Sequence, residues 1–138
     1  MWGKGLERDF AMLKDQLVGA VLPAADIARA RDFYRDKLGL EPDNPGAEDN
    51  LQYTCGSGSR FLVYLTPNAG SAKNTQMGWM VPDVPAAVAE LRAAGVVFED
   101  YDFPGLKTED GIATLPDGST AAWFLDSEGN ILNLNSGM

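Results

Sequence analysis

Few kinds of side chain in this sequence can act as bases, nucleophiles or metal ligands, because its 138 residues contain no histidine and a single cysteine. Histidine has the ordinary pKa closest to neutrality and is the commonest metal ligand, so its absence removes the usual base and the usual metal anchor. Ser-His-Asp and Cys-His catalysis within the chain are therefore excluded. Cys55 alone cannot close an intrachain disulfide or a cysteine-rich zinc site. Any metal would have to be held by carboxylates, carbonyls and water.

The composition is typical of a globular protein with one hydrophobic core. Hydrophobic residues make up 45% of the chain and charged residues 22%, and no apolar run approaches the ~20 residues of a membrane span. The net charge is -9, and the 11 lysines and arginines are scattered, which argues against binding to nucleic acid. The first residues lack the pattern of a secretory signal, so we expect a soluble cytoplasmic protein with no membrane partner. The acidic balance would favour a cationic ligand; the alternative is that it serves solubility alone.

Two segments of the chain share one pattern, in which an apolar strand leads to an aspartate and then to an amphipathic helix. Asp26 and Asp83 stand at the expected N-caps, and Gly39 and Gly95 stand where the helices should end. Subtracting 26 from 83 gives a repeat of 57 residues. That period is too long for a solenoid unit and indicates an internal duplication. Strand and turn signals follow each helix, beginning with a hairpin around residues 56–59.

These signals divide the chain into an extension and a single domain, which spans residues 16–138. The segments are the N-terminal extension (1–15), module one (16–66), a surface linker (67–75) and module two (76–138). In the extension, Leu6, Phe10 and Leu13 have the spacing of one helix face. A disordered tail is the alternative.

The motifs together resemble the vicinal oxygen chelate superfamily, which includes glyoxalase I, extradiol dioxygenases and the bleomycin-resistance proteins. The matching stretches are DIARARDFY (26–34) with LGL (38–40), LRAAGV (91–96) and AWFLDSEGNIL (122–132). The resemblance covers nearly everything after residue 16. It implies an α+β fold in which two tandem βαβββ modules form a curled mixed sheet around a cleft. It also implies a homodimer.

Enzymes of that superfamily hold a divalent metal with histidine or glutamate side chains that face the cleft. The resemblance places these ligand positions at Gly19, Tyr64, Met77 and Asn133. Glycine has no side chain, a thioether is a poor ligand for a hard cation, and a neutral phenol or amide brings no charge. We therefore predict no metal, no cofactor and no catalytic residue, and a cleft that accepts a small organic molecule.

Alternation of side chains along the strands, together with an aromatic loop after the second helix, extends the predicted ligand-binding set. The set is Val21, Leu62, Tyr64, Met77, Trp79, Tyr101, Phe103, Trp123 and Asn133. A filled hydrophobic core would have the same composition, so both interpretations stand. Tyr101 and Phe103 would form either a lid over the cleft or a cover for the sheet edge. Cys55 is interpreted as a buried apolar residue.

Three functions remain in competition. The first is a metal-free protein that binds or sequesters a hydrophobic or cationic compound, such as an antibiotic. The second is a lyase, isomerase or dioxygenase with a histidine-free site, whose acid-base chemistry would fall to a carboxylate, to Tyr64 or to a lysine of shifted pKa. The third is a non-catalytic dimerising scaffold whose cleft is filled by its own side chains.

Overall fold

The computed structural model describes residues 12–137, in which two α-helices and nine β-strands follow one another. The elements are β1 (Gly19–Ala24), α1 (Ile27–Leu38), β2 (Asn50–Thr54), β3 (Arg60–Leu65), β4 (Thr75–Met80), α2 (Val84–Ala93), β5 (Asp102–Phe103), β6 (Leu106–Glu109), β7 (Ile112–Thr114), β8 (Thr120–Leu125) and β9 (Ile131–Asn135). The predicted α+β class is confirmed. Of the predicted N-terminal helix, Leu6 and Phe10 lie outside the described residues, and Leu13 begins a short 3-10 turn.

Both helices begin at the predicted aspartates. The Asp26 side chain accepts a hydrogen bond from the backbone N–H of Arg29 at 2.9 Å, and Asp83 accepts one from Ala86 at 3.0 Å. These bonds pair donors that the first helical turn leaves free. At the other end of α1, Gly39 has a φ of 71°, which glycine adopts without steric cost. The predicted caps are confirmed.

The strands form two sheets, one in each half of the chain. In sheet one the order is β1-β3-β2, and in sheet two it is β4-β9-β8-β7-β6-β5. β1 runs parallel to β3, and β4 runs parallel to β9. Module one has two strands after its helix instead of the three that the resemblance implies. In the segment before β2, the Asp43 N–H donates a hydrogen bond to Gln52 O of β2 at 2.7 Å, but this segment is not a strand. Pro42 and Pro45 interrupt this stretch, and proline cannot donate to a ladder.

One hydrophobic core unites both modules on the side of the sheets that carries the helices. Alternate residues of each strand point into it, such as Leu22 and Val63 in sheet one and Phe124 and Leu132 in sheet two. From α1, Tyr34 is fully buried. We call the opposite side of both sheets, which points away from the helices, the cleft face. No helix within residues 12–137 combines the length and apolarity needed to cross a bilayer.

Candidate ligand-binding face

In module one, the predicted residues Val21, Leu62 and Tyr64 lie together on the cleft face. Val21 pairs with Leu62 across β1 and β3, and Pro23 pairs with Tyr64 one step further. The side chains of Val21 and Tyr64 are 57% and 41% exposed. Sheet one therefore presents an apolar and phenolic surface that the chain itself leaves uncovered.

In module two, Trp123 and Asn133 form the centre of the cleft face. They are direct partners across β8 and β9. The Trp123 indole N–H donates to Thr75 Oγ1 at 3.0 Å, and the Asn135 amide donates to Asn133 Oδ1 at 3.3 Å. These bonds fix a half-buried aromatic ring beside two amide groups.

The loop after α2 brings Tyr101 to this surface. Its ring meets the Trp123 ring edge-on, with 5.6 Å between centroids. The centroid of the Phe103 ring lies 5.8 Å from that of Tyr101. Burial, and secondarily the charge of Glu99, raises the pKa of Tyr101, so its hydroxyl stays protonated at neutral pH and can donate a hydrogen bond. Phe103 belongs to β5, the edge strand of sheet two, and is 52% exposed.

Met77 and Trp79, which the sequence analysis placed on the cleft face, lie on the opposite face of β4. Met77 pairs with Leu132 and Trp79 with Leu134, and both partners are buried. Both side chains pack against the core. The Trp79 ring stacks on Phe124 with 6.4 Å between centroids and 12° between planes. The predicted orientation of these two residues is therefore wrong.

The error comes from an offset that differed between the two modules. The ligand position was placed seven residues before Asp26 in one module and six before Asp83 in the other. Neighbouring residues of a strand point to opposite faces, so an odd and an even offset cannot both select the cleft face. The 57-residue repeat equates Met77 with Ala20, which packs against the core. The same repeat equates Gly19 with Gln76, so the duplication contained the signal that assigns the ligand position of module two to Gln76 instead of Met77.

The residues at the family's metal positions do not fit a divalent metal. Gln76 supplies only a neutral amide, which donates a hydrogen bond to Asn130 Oδ1 at 2.9 Å. With Gly19 lacking a side chain, the other donors are the Tyr64 phenol and the Asn133 amide. Within residues 12–137, no group of three His, Cys, Asp or Glu side chains is placed to hold a metal ion.

A search of solved structures finds proteins that share this arrangement of helices and sheets, and three of them are described here. One is the bleomycin-binding protein from bleomycin-producing Streptomyces verticillus, complexed with copper(II)-bleomycin, which is 27% identical over 92% of this chain and 100% of its own, with a TM-score of 0.68. The chain has the vicinal oxygen chelate fold. The resemblance drawn from the sequence motifs is thereby confirmed.

Two further structures with the vicinal oxygen chelate fold bear different functional names. TnmS3, an antibiotic binding protein from Streptomyces sp. CB03234, is 24% identical over 91% of this chain and 98% of its own, with a TM-score of 0.61. A lactoylglutathione lyase from Agrobacterium tumefaciens is 19% identical over 88% of this chain and 92% of its own, with a TM-score of 0.65. No family model and no curated protein matches the sequence.

The two sheets of this vicinal oxygen chelate fold approach each other along β1 and β4. Near Gly19, Gly78 and Met80 they leave a groove of about 860 Å³. Among residues 12–137, Arg60 is the one charged side chain that lines it, so this part of the chain offers a cationic ligand in the groove no carboxylate. Cys55 also lines the groove and is half-buried, rather than buried as predicted.

At the other end of this junction, Glu128 joins the modules. Its carboxylate accepts hydrogen bonds from the backbone N–H groups of Ala25 at 2.9 Å and Asp26 at 3.1 Å. It also pairs with Arg29 Nε at 2.8 Å, and its side chain is 0% exposed. Burial alone would raise the pKa of Glu128, but the hydrogen bonds from Arg29, Ser127 and the two amides outweigh it and lower the pKa to about 2.

Two neighbours of Glu128 in the same turn extend the connection. Asp126 accepts a 2.7 Å hydrogen bond from the buried Tyr34 hydroxyl; burial first, and then this carboxylate, raises the pKa of Tyr34. The Asn130 amide donates to Pro23 O at 2.9 Å. We call the contacts of Asp126, Glu128 and Asn130 the closed end of the junction. The sequence analysis identified this turn only as part of a motif, because nothing in it specifies partners about a hundred residues away.

Proposed function

We propose that this protein binds a small organic molecule on the cleft face. The observation that carries the proposal is the half-buried Trp123 ring, held by Thr75 between Tyr101 and the Asn133 amide. An aromatic surface with a few fixed polar groups is typical of small-molecule sites. In module one the exposed Val21 and Tyr64 supply further apolar area on the same face.

The solved relatives support a compound such as an antibiotic. The Streptomyces verticillus protein binds bleomycin, and TnmS3 is an antibiotic binding protein. The residues at the four ligand positions, Gly19, Gln76, Tyr64 and Asn133, support binding without a metal held by the protein. The net charge of -9 favours cationic compounds over anionic ones by long-range attraction. We therefore propose a metal-free binding protein that sequesters a hydrophobic or cationic compound.

Trp123→Ala is expected to weaken binding of metal-free bleomycin about tenfold, since a central aromatic side chain typically dominates such a site. Trp123→Phe keeps an aromatic face and should retain most of the affinity. Isothermal titration calorimetry on the three proteins measures the difference, and the unfolding midpoint of each variant checks that it is folded. Equal affinities for all three proteins, or no saturable binding by the wild type, would contradict the proposal.

We also propose that the protein forms a homodimer through an apolar strip along β1 and β4. In the single chain Leu17 and Val18 are 91% and 87% exposed, and Met80 is 64% exposed. Contiguous exposed apolar surface of this kind marks an association site.

Sedimentation velocity should therefore find a dimer for the wild type and a monomer for Val18→Lys, because a buried lysine without a partner opposes association. Leu65 is an exposed apolar residue at the end of β3 that is distant from Val18. Leu65→Lys should therefore leave the dimer intact. A monomeric wild type, or equal effects of the two variants, would refute this interface.

The two alternative functions are outcomes of the same measurements. The enzymatic alternative needs a general base, and none of the cleft-face residues named above is a carboxylate or a lysine, so that role would fall to the Tyr64 phenol. The scaffold alternative requires a cleft without space, whereas Val21 and Tyr64 are exposed. A dimer that binds no bleomycin would favour the scaffold.

A further inference from the structure

A second cavity lies on the helix side of the sheets and adjoins the cleft-face groove, with which it shares Cys55, Gly56, Trp79 and Met80. Its volume is about 360 Å³, and we call it the junction cavity. Leu38 and Leu40 line it from the end of α1, Trp79 and Val81 from β4 and the segment after it, and Glu90 and Leu91 from α2. We infer that the junction cavity is a separate binding site for a small aromatic amine, which goes beyond the function proposed for the cleft face.

The cavity exists because the modules are joined firmly at one end only. At the closed end, Glu128 and its neighbours tie the modules together with several hydrogen bonds. Among residues 12–137, β1 and β4 belong to separate sheets and form no ladder with each other. Beside the cavity, Lys37 Nζ reaches Gly95 O at 3.5 Å, which is at the limit of a hydrogen bond. Part of the apolar surface of the two modules therefore faces a gap, while the rest packs against the shared core.

The chemistry of the lining selects the class of ligand. Most of the lining is aliphatic or aromatic, including the Trp79 indole, and the volume lies within the range of small-molecule sites. Of the residues that the structure describes, Glu90 is the one charged residue that lines the cavity, whereas the ammonium of Lys37 is directed to Gly95. A cavity lined by both a carboxylate and an indole favours a cation attached to an apolar ring. In the cleft-face groove the charged residue of the described lining is Arg60, so a carboxylate lines the junction cavity but not that groove.

The probe for this site is 1-naphthylmethylamine, with 1-naphthalenemethanol as its neutral counterpart. In two-dimensional ¹⁵N NMR spectra, the amine should shift the amide signals of Leu40, Val81 and Leu91 saturably, and leave those of Trp123 and Asn133 in place. The neutral alcohol should bind several-fold more weakly. Glu90→Gln should weaken the amine about threefold, as expected for a solvent-exposed ion pair, and leave the alcohol unaffected.

A matched pair of variants on α2 tests the location. Ala87 lines the junction cavity, so Ala87→Leu should fill it and abolish amine binding. Ala89 is exposed on the same helix, so Ala89→Leu should bind the amine like the wild type. Ala87→Leu should also bind bleomycin normally, and Trp123→Ala should bind the amine normally, which separates this inference from the cleft-face function. Amine shifts confined to Trp123 and Asn133, equal affinity for amine and alcohol, or unchanged binding by Ala87→Leu would overturn it.

Discussion

Trp79→Ala is expected to lower the free energy of unfolding by about 3 kcal/mol, the usual cost of removing a large aromatic side chain from a core. The Trp79 ring stacks on Phe124 and meets Phe61 edge-on at 5.9 Å between centroids. Because these contacts join sheet one to sheet two, their loss should weaken both modules together. Urea unfolding followed by circular dichroism measures the change.

Trp123→Ala is the matched control for Trp79→Ala, because Trp123 is also a half-buried strand tryptophan but lies on the cleft face. It should cost about 1 kcal/mol, typical of a residue outside the core, while reducing bleomycin binding as described above. If Trp123→Ala were the more destabilising variant and Trp79→Ala the one that lost bleomycin binding, the assignment of faces on β4 would be wrong.

Glu128→Gln is expected to lose about 3 kcal/mol of stability at neutral pH. The pKa of Glu128 is about 2 in the folded protein and 4.5 is its ordinary value, and each pKa unit of difference corresponds to ~1.4 kcal/mol. A lowered folded pKa stabilises the protein fully above pH 4.5, and this contribution disappears as the pH falls from about 4.5 to 2. The variant keeps the size of the side chain and removes its charge.

The wild type and Glu128→Gln should therefore differ most at neutral pH and converge in acid. Urea unfolding of both proteins across this pH range provides the test. Glu109→Gln, at an exposed position of β6, should follow the wild type throughout. A difference between wild type and Glu128→Gln that stays constant with pH would show that the carboxylate charge has no part in holding the modules together.

Local signals in the sequence predicted the parts of the fold that depend on neighbouring residues. An aspartate cap needs only the N–H groups of the next turn, so Asp26 and Asp83 identified both helix starts. The hairpin at Gly56–Ser59 follows in the same way, and Cys55 N–H bonds Ser59 O at 2.7 Å. The resemblance supplied the arrangement of the modules, which local signals do not specify.

What the sequence did not predict depends on contacts between distant residues. The orientation of Trp79 follows from its pairing with Leu134 in β9, and a one-residue offset in a strand exchanges the two faces. The partners of Glu128, among them Arg29, are about a hundred residues earlier in the chain. No local pattern links these residues to Glu128. The junction cavity had no signal at all, because it results from surfaces that fail to meet.

The closed end has a mechanical consequence. Since its polar contacts lie on one side of the junction, a small rotation of one module about that side would widen the opposite side without breaking a backbone hydrogen bond in either sheet. Hinged rearrangements of this kind use few residues and leave the moving bodies intact. The distance between Leu40 and Leu91 can then adapt to guests of different bulk, so discrimination among them would rest on charge and hydrogen bonding more than on a fixed outline.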